Sequence, residues 1–253
     1  MNKVALALGC LALAFTSVPA PAGIINAIVW DFNPSGLNKA VKTPIVTPSG
    51  KTKYVKTNTL TTHGSATGLN PLDATTPLVT VSGFNANTTA HTLFQKKMGK
   101  SERGLGLTGT KNSELTLTKK GTLIANYLLV DMTAPLALKW EDLVVSIKMD
   151  SVGANSKTDQ EKFDVWGSDS PSSFGTKLIS ASATNGSFVT IPMDGDHYNK
   201  YYFVTTAAQG KGHSSDNVLL QAVKIEGTNP VPEPVTMGVL ALGAPLALRR
   251  KRR

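Results

Sequence analysis

The stretch at residues 161–167, EKFDVWG, shows the pattern that decides the fold. Apolar and polar side chains alternate along it, with Phe163, Val165 and Gly167 on one side and Lys162, Asp164 and Trp166 on the other. Successive side chains of a β-strand point to opposite faces of a sheet, so the stretch predicts a strand with one face in a core. Trp166 falls on the outer face, where a neighbouring loop could cover it.

Ten other runs rich in Val, Ile, Thr, Tyr and Phe lie between clusters of Gly, Asn, Asp, Ser and Pro. Short runs at this spacing are typical of an all-β sandwich or barrel. The ten runs are residues 24–32, 78–84, 104–108, 114–118, 123–131, 143–150, 177–183, 187–191, 201–206 and 218–226. No internal repeat is visible. We therefore predict an all-β fold, a single jelly-roll-like β-sandwich over residues 23–229.

Residues 33–76 differ from the rest, because Thr, Ser, Gly, Pro and Lys dominate them. This composition predicts long loops with one or two irregular edge strands. The helical pieces expected between the two ends of the chain are short, and APLALKWEDL at 134–143 is an example.

The positive charge of the chain is concentrated at its ends. The formal net charge is +9, but five cations are the last five residues and Lys3 stands near the start. Residues 23–229 hold 20 Lys and Arg against 16 Asp and Glu, and their lysines are scattered or paired. Without a basic helix or aromatic side chains interleaved with cations, we expect no nucleic-acid binding.

The N-terminus, MNKVALALGCLALAFTSVPAPAG, has one cation, an apolar stretch and then small residues. This layout predicts a secretory signal peptide over residues 1–22, cleaved near Ala20 and Ala22 by a signal peptidase after engagement of the secretion machinery. A buried helix or a lipoprotein signal around Cys10 are the alternatives. Cys10 is the only cysteine, so its removal would exclude thiol catalysis and cysteine-based metal sites. Burial alone would then hold the exported domain together.

The C-terminal segment, residues 230–253, has an apolar run of 14 residues at 235–248. The run is shorter than the ~20 residues of a comfortable membrane span, but flanking cations can snorkel to the interface. We predict a short transmembrane helix. The basic stop that follows it would stay on the cytoplasmic side and consists of Arg249, Arg250, Lys251, Arg252 and Arg253.

The ending VPEPVTMGVLALGAPLALRRKRR resembles the PEP-CTERM sorting signal of bacteria. The resemblance rests on four features: the triplet Pro232, Glu233 and Pro234, the apolar run, the basic cluster and the terminal position. The resemblance implies recognition and cleavage near the triplet by an exosortase, in bacteria that make exopolysaccharide. It also implies export across the inner membrane, transient anchoring by the C-terminal helix, and then a place on the cell surface or in the extracellular biofilm matrix.

The stretch ERGLGLTGTKNSELTL, residues 102–117, resembles the Gly-Leu-Gly strand of β-sandwich ectodomains that carry this signal. Glu114 stands near the acidic position that follows the strand in those proteins. The resemblance implies the domain type and nothing finer.

No motif in the chain predicts a catalytic residue. The G-x-S-x-G elbow is absent, and GHSSD at 212–216 has the composition of a polar turn. MDGDHY at 193–198 offers Asp194 and Asp196 as candidate calcium ligands, with a solvated turn as the alternative. We expect no other cofactor.

Exposed aromatic side chains could give a β-sandwich a sugar-binding platform, or they could be core. The candidates are Trp30, Trp140, Trp166, Tyr198, Tyr201 and Tyr202. The sequence thus favours a non-enzymatic structural, adhesive or polysaccharide-associated surface protein. The alternative is a secreted hydrolase of glycans or esters that uses His197 or His213 with nearby acids.

Overall fold

Antiparallel β-strands make up nearly all the regular structure in the computed structural model of the chain. The structure describes residues 25–32, 39–67, 76–85, 87–98, 102–110, 114–116, 126–138, 140–151, 161–182, 187–207 and 217–228. The predicted signal peptide with Ala20 and Ala22, the sorting segment at 230–253 and His213 lie outside these residues. All described residues fall within one compact unit, Ile24–Pro230.

The strands follow one another with a single short helix among them. In chain order the elements are β1 Ile25–Asp31, β2 Lys39–Ala40, β3 Lys42–Val46, β4 Thr52–Lys56, β5 Thr59–His63, β6 Ser65–Thr67, β7 Leu78–Phe84, β8 Leu93–Met98, β9 Glu102–Leu107, β10 Leu115–Thr116, β11 Tyr127–Asp131, α1 Thr133–Leu136, β12 Glu141–Ser151, β13 Lys162–Ser168, β14 Thr176–Ser182, β15 Phe188–Ile191, β16 Tyr201–Thr206 and β17 Asn217–Thr228.

Nine of the described strands form one sheet around β17. The order β15-β12-β17-β9-β8-β2 runs across it, while β1 and β10 also pair with β17, and β6 pairs with β1. Gly104, in β9, has a φ of +145°, and a Cβ there would lie 2.5 Å from the Leu220 carbonyl oxygen. Glycine therefore lets β9 approach β17 at the pair Leu105–Leu220.

Six of the described strands form a second sheet in the order β14-β13-β16-β11-β7-β5. Burial along β7 alternates, with Val79 and Val81 at 0% exposure. In β13, Phe163 and Val165 are fully buried, as the alternation in EKFDVWG predicts.

The core lies between the two sheets. One continuous apolar cluster contains Ile28, Leu107 and Ile225 from the nine-stranded sheet and Val81 and Val204 from the six-stranded sheet. The contact is close, because a Cβ on Gly83 of β7 would lie 2.5 Å from Leu107 Cδ2. The prediction of an all-β, sandwich-like fold is confirmed. The jelly-roll connectivity stays a prediction.

Each of the eleven predicted strands overlaps an observed strand, but the description of residues 33–76 as mainly loops is wrong. The described part of that segment holds β2 to β6, among them the two-stranded hairpin β3–β4. Strand β8 was also missed. The helical stretch 134–143 is helical only at its start, because α1 ends at Leu136 and β12 begins at Glu141. Among the described residues, no helix is long and apolar enough to cross a membrane.

Candidate functional site

The outward-facing side of the six-stranded sheet carries a second apolar cluster, separate from the core. We call it the aromatic face. Tyr127, Leu129 and Phe203 are buried at its centre. The partly buried residues packed around them are Phe84, Trp166, Phe174 and Tyr201.

The strand register builds this face. Phe203 in β16 is the partner of Leu129 on one side and of Trp166 on the other, so the three side chains form one row. Tyr127 and Phe84 are partners in the next row, and their rings stack with centroids 5.1 Å apart. Burial in this cluster raises the pKa of the Tyr127 phenol.

Phe174 reaches the face from the connection between β13 and β14. Its ring stacks on Phe203 at 4.5 Å and meets Tyr127 edge-on at 4.8 Å. Gly175 follows with a φ of +64°, and a Cβ there would lie 2.1 Å from the Gly167 carbonyl oxygen. The glycine thus permits the tight turn that places Phe174 over the sheet. This is the neighbouring loop that partly covers Trp166, which Phe174 meets edge-on at 6.0 Å.

A charged pair borders the aromatic face at Trp166. Lys177 Nζ lies 2.6 Å from Asp164 Oδ2 and 5.7 Å from the centre of the Trp166 ring. The Asp164 side chain is 8% exposed and the Lys177 side chain is 41% exposed. The arrangement presents a partly exposed indole beside an accessible ammonium group, a pairing that suits polar ligands with apolar faces.

A second polar cluster lies where β13 ends and β16 begins. Asp169 Oδ2 is 3.1 Å from His197 Nε2, and the Lys200 backbone N–H donates to Asp169 Oδ1 at 3.2 Å. The Lys200 hydrogen bond and then the His197 contact lower the pKa of Asp169. Both side chains of the Asp169–His197 pair are more than half exposed, so water screens the pair.

The weak calcium candidates occupy a turn. The Asp194 N–H donates to the His197 carbonyl at 3.0 Å, and Gly195 has the left-handed φ of +66° that such a turn requires. Asp194 Oδ2 accepts from Asn199 Nδ2 at 3.5 Å, whereas Asp196 is exposed. Within the described ranges, no group of three or more His, Cys, Asp or Glu side chains is placed to hold a metal ion. Calcium binding stays a prediction.

The other aromatic candidates lie elsewhere. Trp30 and Tyr202 are core residues, and the Trp30 indole N–H donates to the Pro77 carbonyl at 3.0 Å. Trp140 and Tyr198 pack against the core from its periphery. Of the six candidates, the structure places Trp166 and Tyr201 on the aromatic face. Sequence patterns missed Phe174, because it stands alone in a segment of Ser, Pro and Gly.

The chain was compared with protein-family models, curated proteins and solved structures, and no match was found in any of the three.

Proposed function

We propose that the chain is an exported, exosortase-processed protein of the cell surface or extracellular matrix, with a jelly-roll-like β-sandwich as its ectodomain. The support for export and sorting is in the sequence: a signal-peptide layout at residues 1–22 and the Pro-Glu-Pro ending at 230–253. Signal peptidase, the secretion machinery and an exosortase are the partners. The membrane is a partner through the C-terminal helix until cleavage.

For the ectodomain we propose a non-enzymatic, polysaccharide-associated role, with the aromatic face as the binding surface. The observation that carries it is Trp166, held between Lys177 and Phe174 and still partly exposed. An indole fixed in this way can stack on the C–H face of a sugar ring with little loss of side-chain entropy. The ammonium of Lys177 can then donate to ring hydroxyl or carboxylate oxygens.

The binding role is tested with the full chain, using soluble dextran, xanthan and alginate in affinity electrophoresis. Retardation by at least one of these polymers supports the role, and about a tenfold loss in Trp166→Ala places binding on the aromatic face. Trp140→Ala is the control, because Trp140 packs against the core periphery rather than this face. Retardation that survives Trp166→Ala contradicts the assignment to the face.

The sorting role is tested by mass spectrometry of both termini, with protein recovered from cells and medium of the native host. A chain that starts near residue 23 and ends near residues 232–234 supports processing at both ends. A C-terminus that is intact through Arg253 in the membrane fraction contradicts exosortase processing.

One observation favours the alternative of a secreted hydrolase, namely the contact between His197 and Asp169. A carboxylate can orient a histidine as general base, but here both partners are more than half exposed. We therefore rank the hydrolase second. Turnover of ester or glycoside substrates that disappears in His197→Ala and in Asp169→Asn would reverse the ranking.

A further inference from the structure

The hairpin formed by β3 and β4, residues 42–56, is a surface feature that the proposed function leaves unexplained. We call it the β-arm. It pairs with neither of the two large sheets, and every residue of both its strands is exposed. Six large apolar side chains are exposed among the described residues, and four of them are Ile45, Val46, Tyr54 and Val55 of this arm.

The β-arm is also the source of the positive charge of the folded region. It carries Lys42, Lys51, Lys53 and Lys56 and has no Asp or Glu. Residues 23–229 have 20 Lys and Arg against 16 Asp and Glu, so the sequence outside the arm is balanced at 16 of each. The arm therefore joins an apolar surface to an unopposed cationic one.

Its register distributes both properties over both faces. Pro44 pairs with Tyr54 and Val46 with Thr52, beside the pair Lys42–Lys56. On the opposite face, Ile45 pairs with Lys53 and Thr43 with Val55. Neither face is a polar back that would turn toward water.

The β-arm is anchored to the rest of the domain at its base and is closed by a turn at its tip. At the base, Val41 is buried, its N–H donates to the Leu93 carbonyl, and its carbonyl accepts from the Thr57 N–H. At the tip, Thr47 Oγ1 donates to the Lys51 carbonyl at 2.9 Å, and Gly50 adopts a φ of +78°. Isolated hairpins are marginal in water, so the hydrogen bonds at the base support two strands that bury little of their own surface.

We propose that the β-arm docks on an anionic lipid bilayer surface. Interfacial binding of this kind needs apolar side chains that enter the headgroup region and cations that meet acidic lipids, and the arm presents both. A second copy of this chain would bring the same unopposed lysines, which disfavours pairing of arms. An anionic polymer would match the lysines but would offer no hydrocarbon to Ile45, Val46 and Val55.

The test must separate the β-arm from the C-terminal segment, which can bring the chain to a membrane by itself. We would use the full chain with Cys10→Ser and Val46→Cys, labelled with an environment-sensitive nitrobenzoxadiazole dye. On adding phosphatidylglycerol vesicles we expect a blue shift and quenching by brominated lipid. The matched control carries the label at Ser172→Cys, an exposed site outside the β-arm in the connection between β13 and β14, where we expect no shift. A label at Val46 that reports water in the presence of vesicles overturns the proposal.

The lysines are tested by changing Lys42, Lys51, Lys53 and Lys56 to Gln in the labelled chain. We expect the lipid concentration at half-maximal shift to rise about tenfold or more, and phosphatidylcholine vesicles to give no shift. Lys162→Gln with Lys200→Gln, two exposed lysines outside the arm, is the control that leaves the shift unchanged. An unchanged shift in the fourfold variant overturns the proposal. So does an arm response to alginate instead of vesicles, or concentration-dependent dimerisation through the arm in sedimentation velocity.

Discussion

Lys96 and Glu114 form an ion pair inside the protein, where the side chain of Lys96 is 6% exposed and that of Glu114 is 0% exposed. Lys96 lies in β8, and Glu114 is the residue immediately before β10. The Thr110 hydroxyl, which follows β9, donates to the Glu114 carbonyl at 2.6 Å. The glutamate singled out beside the Gly-Leu-Gly strand is thus buried with a cationic partner.

We predict that Lys96→Met lowers the free energy of unfolding by about 3–5 kcal/mol, because it removes this cation from beside the buried carboxylate of Glu114. Replacement of both residues, Lys96→Met with Glu114→Leu, should cost much less than Lys96→Met alone. Urea unfolding followed by circular dichroism measures both changes. If the loss of unfolding free energy in the double variant equals the sum of the losses in Lys96→Met and Glu114→Leu, the two residues act independently and this prediction is wrong.

We predict that Gly175→Ala costs about 2 kcal/mol or more, because the new Cβ meets the Gly167 carbonyl oxygen as well as requiring a strained φ. The matched control is Gly195→Ala, where φ is nearly the same, at +66°, and nothing lies within 4 Å. The control should cost about 1 kcal/mol. Near-ultraviolet circular dichroism should change only in Gly175→Ala, since Phe174 leaves the aromatic face. Equal losses in the two variants would contradict the role given to the turn.

We predict that the Asp169 carboxyl titrates below its ordinary pKa of 3.8 in a carbon-13 NMR titration. A carboxyl whose pKa is lower in the folded state than in the unfolded state stabilises the fold at pH values above its unfolded-state pKa. That contribution is lost as the pH falls through its folded-state pKa. Because the Lys200 backbone N–H is the largest cause, His197→Gln should move the pKa only part of the way back. Full return to the ordinary value would assign the effect to His197 instead.

We predict that burial of Tyr202 makes the protein less stable in alkali. The residue is 2% exposed, and burial raises the pKa of its phenol. The unfolded phenol ionises near pH 10 while the folded one stays neutral, so stability is present below about pH 10 and falls above it. Tyr202→Phe should flatten the fall in urea midpoint between about pH 10 and 11. The same slope in both proteins would contradict this account.

Alternation along the chain was enough to predict eleven of the fifteen described strands in the two large sheets, but not β2, β5, β6 and β8. It failed for the β-arm, because strands with no buried face have no apolar alternation to detect. It failed for β8 because the strand buries a charged residue, Lys96, whose partner Glu114 is a long-range neighbour that no local pattern shows. The sequence predicted the aromatic face only in part. Trp166 was a candidate from its place in the strand pattern, but the contact with Phe174 depends on how one turn folds back over the sheet.

The place of β17 at the centre of its sheet sets a condition on how the domain can be made. This last described strand pairs with β1, β9, β10 and β12, and Ile25 of β1 is the register partner of Thr228. During synthesis from the N-terminus, β1 lacks its partner β17 until nearly all of the domain has been made. Contacts between such distant residues make folding slow, with times of milliseconds to seconds for comparable small β domains. The sheet thus assembles only after synthesis of the domain is almost complete, and truncation before Asn217, where β17 begins, would leave β1 and β12 without their shared neighbour.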